Sequence, residues 1–142
     1  MSIVRHTQKE IGLIARLMRA EAAGEGELGM LLVGNVIVNR TIAKCLTFKN
    51  NYTLTDTVFQ SPGGFSGVDS PLFFQAATAK EEELAKRVIK GERFYPATYS
   101  LWFYAPNDEE NCMLTWYGQK NSGKYLGHCF YSPAYEICPD VF

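Results

Sequence analysis

Apolar residues recur at helical spacing from the start of the chain. Ile11, Ile14, Leu17 and Met18 fall on one stripe of a 3.6-residue period, and Glu21 falls on that same stripe while Lys9, Arg16 and Arg19 lie off it. Thr7 followed by Glu10 forms a capping box able to satisfy the first free N–H groups, so the pattern predicts a helix from about Gln8. Gly24 and Gly26 tolerate left-handed backbone and close approach of a ligand, and they end that helix. Glu21 is thus expected in the last helical turn, facing the core beside an open edge.

A second helix is predicted over residues 27–40, apolar around most of its circumference and therefore buried. Its Asn35 and Asn39 share a face with Leu28 and Leu32, and buried amides require partners from the backbone or from a ligand. Residues 45–53 read as loop, 54–59 as a short helix and 60–67 (QSPGGFSG) as turn-rich chain with an aromatic residue inside it. A third long helix is predicted from Pro71, a favoured first helical residue, through Leu84, Val88 and Ile89 to a stop at Gly91, with Glu81, Glu82 and Glu83 as its solvated face. Beyond it, β-branched and aromatic residues predict strands over 99–104, 113–117 and 125–131, with Asn121, Ser122 and Gly123 as a turn. Helices first and strands afterwards make an α+β chain.

With 142 residues, nearly half of them apolar, one domain with its own core is expected. The formal net charge is −1 and the lysines and arginines are scattered, which excludes the basic footprint of a nucleic-acid binder. The most apolar stretch, residues 31–38, is too short to span a bilayer, and no basic-then-apolar secretory pattern opens the chain, so synthesis without a signal peptide is expected. Cys45, Cys112, Cys129 and Cys138 show no C-x-x-C pair and no zinc-ribbon spacing. No metal is expected, and free buried thiols are the expected state of the four, a late disulfide being the alternative in an oxidising compartment.

A carboxylate taken out of water either finds a partner or has its pKa raised, and a raised pKa is what a general acid requires. Glu21 therefore stands out as a candidate acid, weighed against a structural glutamate in an ion pair. Glycoside hydrolysis ordinarily uses two carboxyls, and Glu25, Glu27, Asp69 and Asp108 are the alternatives for a second, none placed opposite Glu21 by spacing. Glu25, beyond the Gly24 break, need not share the face of Glu21. A single carboxyl suffices where the sugar's own hydroxymethyl group attacks the anomeric carbon. A zinc amidase finds only His6 and His128, and a Cys–His peptidase would pair His128 with Cys45, Cys112 or Cys138. Tyr95, Tyr99, Trp102, Tyr104, Trp116, Tyr117, Tyr125 and Tyr131 crowd the last third, the kind of apolar yet hydrogen-bonding surface that grips sugar rings.

Residues 15–26 (ARLMRAEAAGEG) and 29–40 (GMLLVGNVIVNR) closely resemble the germination-specific cell-wall hydrolases of the SleB/CwlJ type. The segments 91–93 (GER), 100–104 (SLWFY), 122–125 (SGKY) and 128–131 (HCFY) resemble their shorter CwlJ branch. The resemblance implies a lysozyme-like, lytic-transglycosylase-related α+β fold with Glu21 as the catalytic acid. It implies spore-cortex peptidoglycan as substrate, a place in the spore coat held by a coat-protein partner, no cofactor, and activation by calcium dipicolinate. Residues 62–66 resemble the family's loop across the cleft. Candidate substrate contacts are therefore Glu25, Asn39, Phe65, Tyr104, Trp116 and His128. The readings set against a glycan-cleaving enzyme are an N-acetylmuramoyl-L-alanine amidase, a peptidoglycan-binding module without catalysis, and a coat protein that activates another lysin.

Overall fold

The computed structural model describes residues 2–107 and 111–142. Helix α1 (Gln8–Glu21) starts where the capping box predicts: Thr7 Oγ1 accepts from the Glu10 N–H, and the Glu10 carboxylate accepts from the Thr7 N–H. The other oxygen of Glu10 accepts from the N–H and the hydroxyl of Thr55. One side chain thereby caps α1 and ties it to helix α3 (Leu54–Val58), itself opened by a Thr53/Asp56 capping box.

Helix α2 (Gly26–Ile42) is buried from Leu31 to Thr41 because α1, α3 and helix α4 (Ala79–Ile89) all pack on it. Gly34 lets two of these neighbours close in, since a Cβ there would stand 2.9 Å from Val88 Cγ2 and 3.0 Å from Met18 Cε. The apolar cluster formed by these helices extends to Phe130 of the sheet.

The sheet has strand order β1-β4-β3-β2, antiparallel throughout, from β1 (Trp102–Tyr104), β2 (Thr115–Trp116), β3 (Gln119–Tyr125) and β4 (His128–Ser132). Phe103 pairs with Phe130 and Tyr104 with Cys129, which sets β1 beside the strand that carries His128. Among the described residues, no helix is long and apolar enough to cross a membrane.

Three local expectations are corrected. The helix predicted from Pro71 to Gly91 is a short 3-10 turn (Pro71–Phe74) followed, after a break, by α4, whose own capping box joins Thr78 and Glu81. The break persists because the Arg19 guanidinium takes the carbonyls of Leu72, Gln75 and Ala76, leaving them unavailable to a helix. Glu81, expected on a solvated face, pairs with Arg19 at 2.8 Å. Asn121, Ser122 and Gly123 form no turn: they lie within β3 at a bulge, where a Cβ on Gly123 would meet Pro96 Cβ at 2.6 Å. The chain reverses instead at Tyr117-Gly118 and at Leu126-Gly127, with φ of 51°, 81° and 46° at Tyr117, Gly118 and Leu126.

The cysteines are also corrected. They are not free thiols; Cys45 pairs with Cys138 and Cys112 with Cys129. The first bridge closes a sequence separation of 93 and sits in a second apolar cluster with Ala43, Phe48, Leu101 and Val141. Closing a loop of that order removes denatured-state freedom worth about 2–4 kcal/mol. The Cys45→Ser, Cys138→Ser double variant should therefore lose about that much stability in urea unfolding under non-reducing conditions, and an unchanged midpoint would show the bridge to be inconsequential.

Candidate active site

Where α1 ends, Glu21 turns its side chain into a cleft of 290 Å³ between the helices and β1. Glu21, Arg40 and His128 contribute its ionisable groups; Phe65, Phe103 and Tyr104 form its apolar walls, and Gly64, Ser66 and Ala105 complete the rim. Glu21 Oε1 accepts a 2.8 Å hydrogen bond from the Gly67 N–H. A Cβ on residue 67 would stand 3.0 Å from Glu21 Oε1 and Cγ, so a larger residue there would displace the carboxyl by a few tenths of an ångström.

Burial raises the Glu21 pKa above the ordinary glutamate range, and it outweighs the Gly67 hydrogen bond and the charges of His128 and Arg40, all of which favour the carboxylate. Arg40 is itself deeply buried, and burial holds its pKa down to about 10 against the pull of Glu21. Its Nε donates to the Leu101 carbonyl at 2.7 Å and its Nη1 to the Gly63 carbonyl at 3.1 Å. The guanidinium also lies 4.4 Å from the Phe65 ring centroid and 5.0 Å from that of Phe48. One cation at the end of α2 thus fastens both the loop across the cleft and the entry to β1. Within that loop, a Cβ on Gly64 would fall 1.9 Å from the Gln60 carbonyl oxygen, so no other residue fits the turn.

Glu25 approaches from the other side. The corner after α1 passes through Gly24 (φ 79°) and Gly26 (φ 75°) and aims the Glu25 carboxylate at the β3–β4 turn, where Oε1 lies 2.6 Å from His128 Nδ1 and Oε2 accepts from the Gly127 N–H at 2.8 Å. Both side chains are largely buried, and the edge of the His128 ring meets Phe103 at a centroid distance of 5.2 Å.

Of the residues singled out from sequence, Glu21, Phe65, Tyr104 and His128 meet in this cleft. Glu25 stands behind His128. Asn39 is corrected: buried on α2, it donates to the carbonyls of Ala97, Thr98 and Ser100 and is spent on backbone rather than offered to a ligand. Trp116 lies outside the cleft lining, its ring tilted against that of Tyr104 at a centroid distance of 5.0 Å. Among the alternatives for a second carboxylate, Glu27 faces Lys80 at 3.8 Å on another surface, Asp69 is exposed outside the lining, and Asp108 lies outside the described residues. Among the described residues, Glu21 is the one carboxylate that lines the cleft, and no group of three or more His, Cys, Asp or Glu gathers for a metal ion. With all four cysteines in disulfides, the Cys–His pairing has no thiol. Sequence reasoning missed Arg40, whose signal was a charge at the end of a helix otherwise apolar all round, and Gly67, which had none.

Residues 24–131 match the family described as Cell Wall Hydrolase. The cell wall hydrolase CwlJ of Oceanobacillus iheyensis is 54% identical over 142 residues, covering all of this chain and 99% of that protein. The protein of the same name from Bacillus subtilis is 44% identical over 142 residues, covering all of this chain and 98% of its own. Among solved structures, the catalytic domain of Bacillus cereus SleB aligns with a TM-score of 0.67 at 22% identity, over 90% of this chain and 93% of that one. The catalytic domain of the germination-specific lytic transglycosylase SleB from Bacillus anthracis aligns with a TM-score of 0.67 at 24% identity, over 89% and 97%. The fold is thus that of the SleB catalytic domain, a lysozyme-like α+β arrangement.

The raised pKa of Glu21 carries a pH dependence of stability. A carboxyl that binds its proton more tightly when folded contributes stability that is fully present below about pH 4, the unfolded value, and is lost as pH rises through the folded value. Glu21→Gln does not titrate. Its stability relative to the parent should therefore rise from acidic to neutral pH and then level off, as read from urea midpoints across pH; a relative stability that falls with pH would contradict the raised pKa.

Proposed function

This chain belongs to the cell wall hydrolase family, and on that premise we propose that it cuts the glycan strand of peptidoglycan with Glu21 as general acid. The observation that carries the reading is a carboxyl at the cleft wall whose pKa burial raises, with no second carboxylate among the described residues lining the cleft. The protonated Glu21 gives its proton to the glycosidic oxygen as the bond from that oxygen to the anomeric carbon breaks. The muramic residue's own C6 hydroxyl then attacks the anomeric carbon. In net terms its proton returns to Glu21, so no water is consumed and the sugar closes into a 1,6-anhydro ring. Arg40 and the His128 side, which favour the carboxylate, limit the cost of the transient charge on Glu21.

The germination-specific description of the B. anthracis neighbour and the family resemblance support spore-cortex peptidoglycan as the substrate. The same resemblance supports a place in the spore coat, a coat protein that holds the enzyme there, and activation by calcium dipicolinate. Leu114 and Tyr117, strongly exposed beside Trp116, offer an apolar edge for that partner or for a longer glycan.

The test is digestion of purified cortex followed by mass analysis of the muropeptides. Glu21→Gln preserves shape and the acceptor for the Gly67 N–H while removing the titrating proton, so the rate should fall about 10²- to 10⁴-fold with the fold retained. The parent's products should carry anhydro ends, lighter by one water than hydrolysis products. Reducing ends alone would point to a glycosidase using external water, and intact glycan with freed peptides to an amidase.

A further inference from the structure

The Glu25–His128 pair moves no proton in a mechanism that uses Glu21 alone, yet its construction is specific. Glu25 spends both carboxylate oxygens on one turn of the sheet, Oε1 on His128 Nδ1 at 2.6 Å and Oε2 on the Gly127 N–H at 2.8 Å. The space for it is cleared by glycines: a Cβ on Gly29 would stand 2.6 Å from Glu25 Cβ, and one on Gly127 would stand 3.2 Å from its Oε2. A carboxylate on Nδ1 holds the neutral imidazole as the Nδ1–H tautomer and leaves the lone pair on Nε2. Nε2 is then the polar atom left to the cleft by a ring that lines it together with Glu21. Phe103 packs against the ring and fixes its plane. Carboxylate, imidazole and a reacting hydroxyl in this order are the arrangement that activates a hydroxyl nucleophile elsewhere in enzymology.

We propose that His128, oriented by Glu25, is a second catalytic residue of this cleft: its Nε2 takes the proton of the attacking hydroxyl and hands it back to Glu21. The inference rests on the glycan-cleaving reading above. As the bond between the hydroxyl oxygen and the anomeric carbon forms, that hydroxyl's proton passes to Nε2 and the imidazole becomes imidazolium, its Nδ1–H still held by the Glu25 carboxylate. The bond to the leaving oxygen breaks with the proton from Glu21. Transfer from Nε2 to the Glu21 carboxylate then restores both groups, and no other reactant is needed. Glu25 is a positioning residue, since it meets the reaction only through the imidazole. The scheme also explains how a cleft with one lining carboxylate handles two protons at separate places on the sugar.

The experiment compares full-length parent, His128→Ala, Glu25→Gln, their double variant and Glu21→Gln on purified cortex fragments, with circular dichroism as the check on folding. His128→Ala should lower kcat about 10²-fold with a much smaller change in KM, and added imidazole should restore part of the loss. Glu25→Gln, which no longer enforces the tautomer, should fall in kcat as well, Glu25→Asp should recover some of it, and the double variant should be no worse than His128→Ala alone. Full kcat in His128→Ala, a defect confined to KM, or a loss that imidazole does not restore would overturn the proposal. If the alanine variant does not fold, His128→Asn, which keeps a donor toward Glu25, carries the same comparison of kcat and KM. Inactive Glu21→Gln beside fully active His128→Ala would sink this inference alone, whereas active Glu21→Gln would sink the glycan-cleaving reading on which it stands.

Discussion

The architecture hangs on a polar seam along one buried helix. Asn35, Asn39 and Arg40 project from α2 toward residues 92–101, a segment that enters the sheet. Asn35 donates to the Glu92 carbonyl and accepts from the Phe94 N–H, Asn39 takes three carbonyls between Ala97 and Ser100, and Arg40 takes that of Leu101. The carbonyls of Ser100 and Leu101 lie in the buried part of this seam, where a backbone group left without a partner costs about 1–3 kcal/mol. The seam fixes where β1 begins and hence where Phe103 and Tyr104 stand. Since α1 packs on the same helix, α2 supports both the element that carries Glu21 and the segment that leads into the sheet.

The cleft chemistry depends on balancing opposed effects on one carboxyl. Full desolvation with no compensation would leave Glu21 unable to release its proton, and full compensation would leave it ionised from the start. Burial dominates here, while one backbone N–H and the neighbouring Arg40 and His128 side chains offset part of it. Arg40 contributes to that balance from inside the core, where its own charge is held by two carbonyls and two aromatic faces. The group that anchors the cleft loop is thus also one that steadies the anion.

Much of this was legible in sequence wherever the controlling interactions are local. The Thr7/Glu10 box, the stripe carrying Glu21 and the all-round apolar α2 each rest on contacts within one helix, and each stands as expected. What failed depends on partners far along the chain. The break before α4 is held by Arg19, more than fifty residues earlier, taking carbonyls there, and its one local sign is the Thr78/Glu81 capping box inside the run read as a single helix. Asn39 reads equally as a ligand contact until its carbonyls are placed opposite it. The disulfides were set aside because the start of the chain carries no secretory pattern, yet the fold brings both pairs of Cα atoms within 5.7 Å. Leu126 turns the β3–β4 hairpin in the left-handed region without the glycine or asparagine that usually marks such a position.

The corner between α1 and α2 explains why two glutamates four positions apart do different work. On an unbroken helix, residues 21 and 25 would stack on one face, and two carboxylates in that relation would raise each other's pKa and compete for the same partners. Gly24 and Gly26 turn the chain through left-handed backbone before that stacking can occur. Glu21 is left at the end of α1, in apolar surroundings with one N–H donor. Glu25 swings to the sheet, where its two oxygens meet the Gly127 N–H and His128 Nδ1. Burial thus raises the pKa of the one, while the other is engaged by the β3–β4 turn. The two glycines do this by geometry alone, touching neither carboxylate, so the separation of roles between Glu21 and Glu25 is a property of the backbone before it is a property of the cleft.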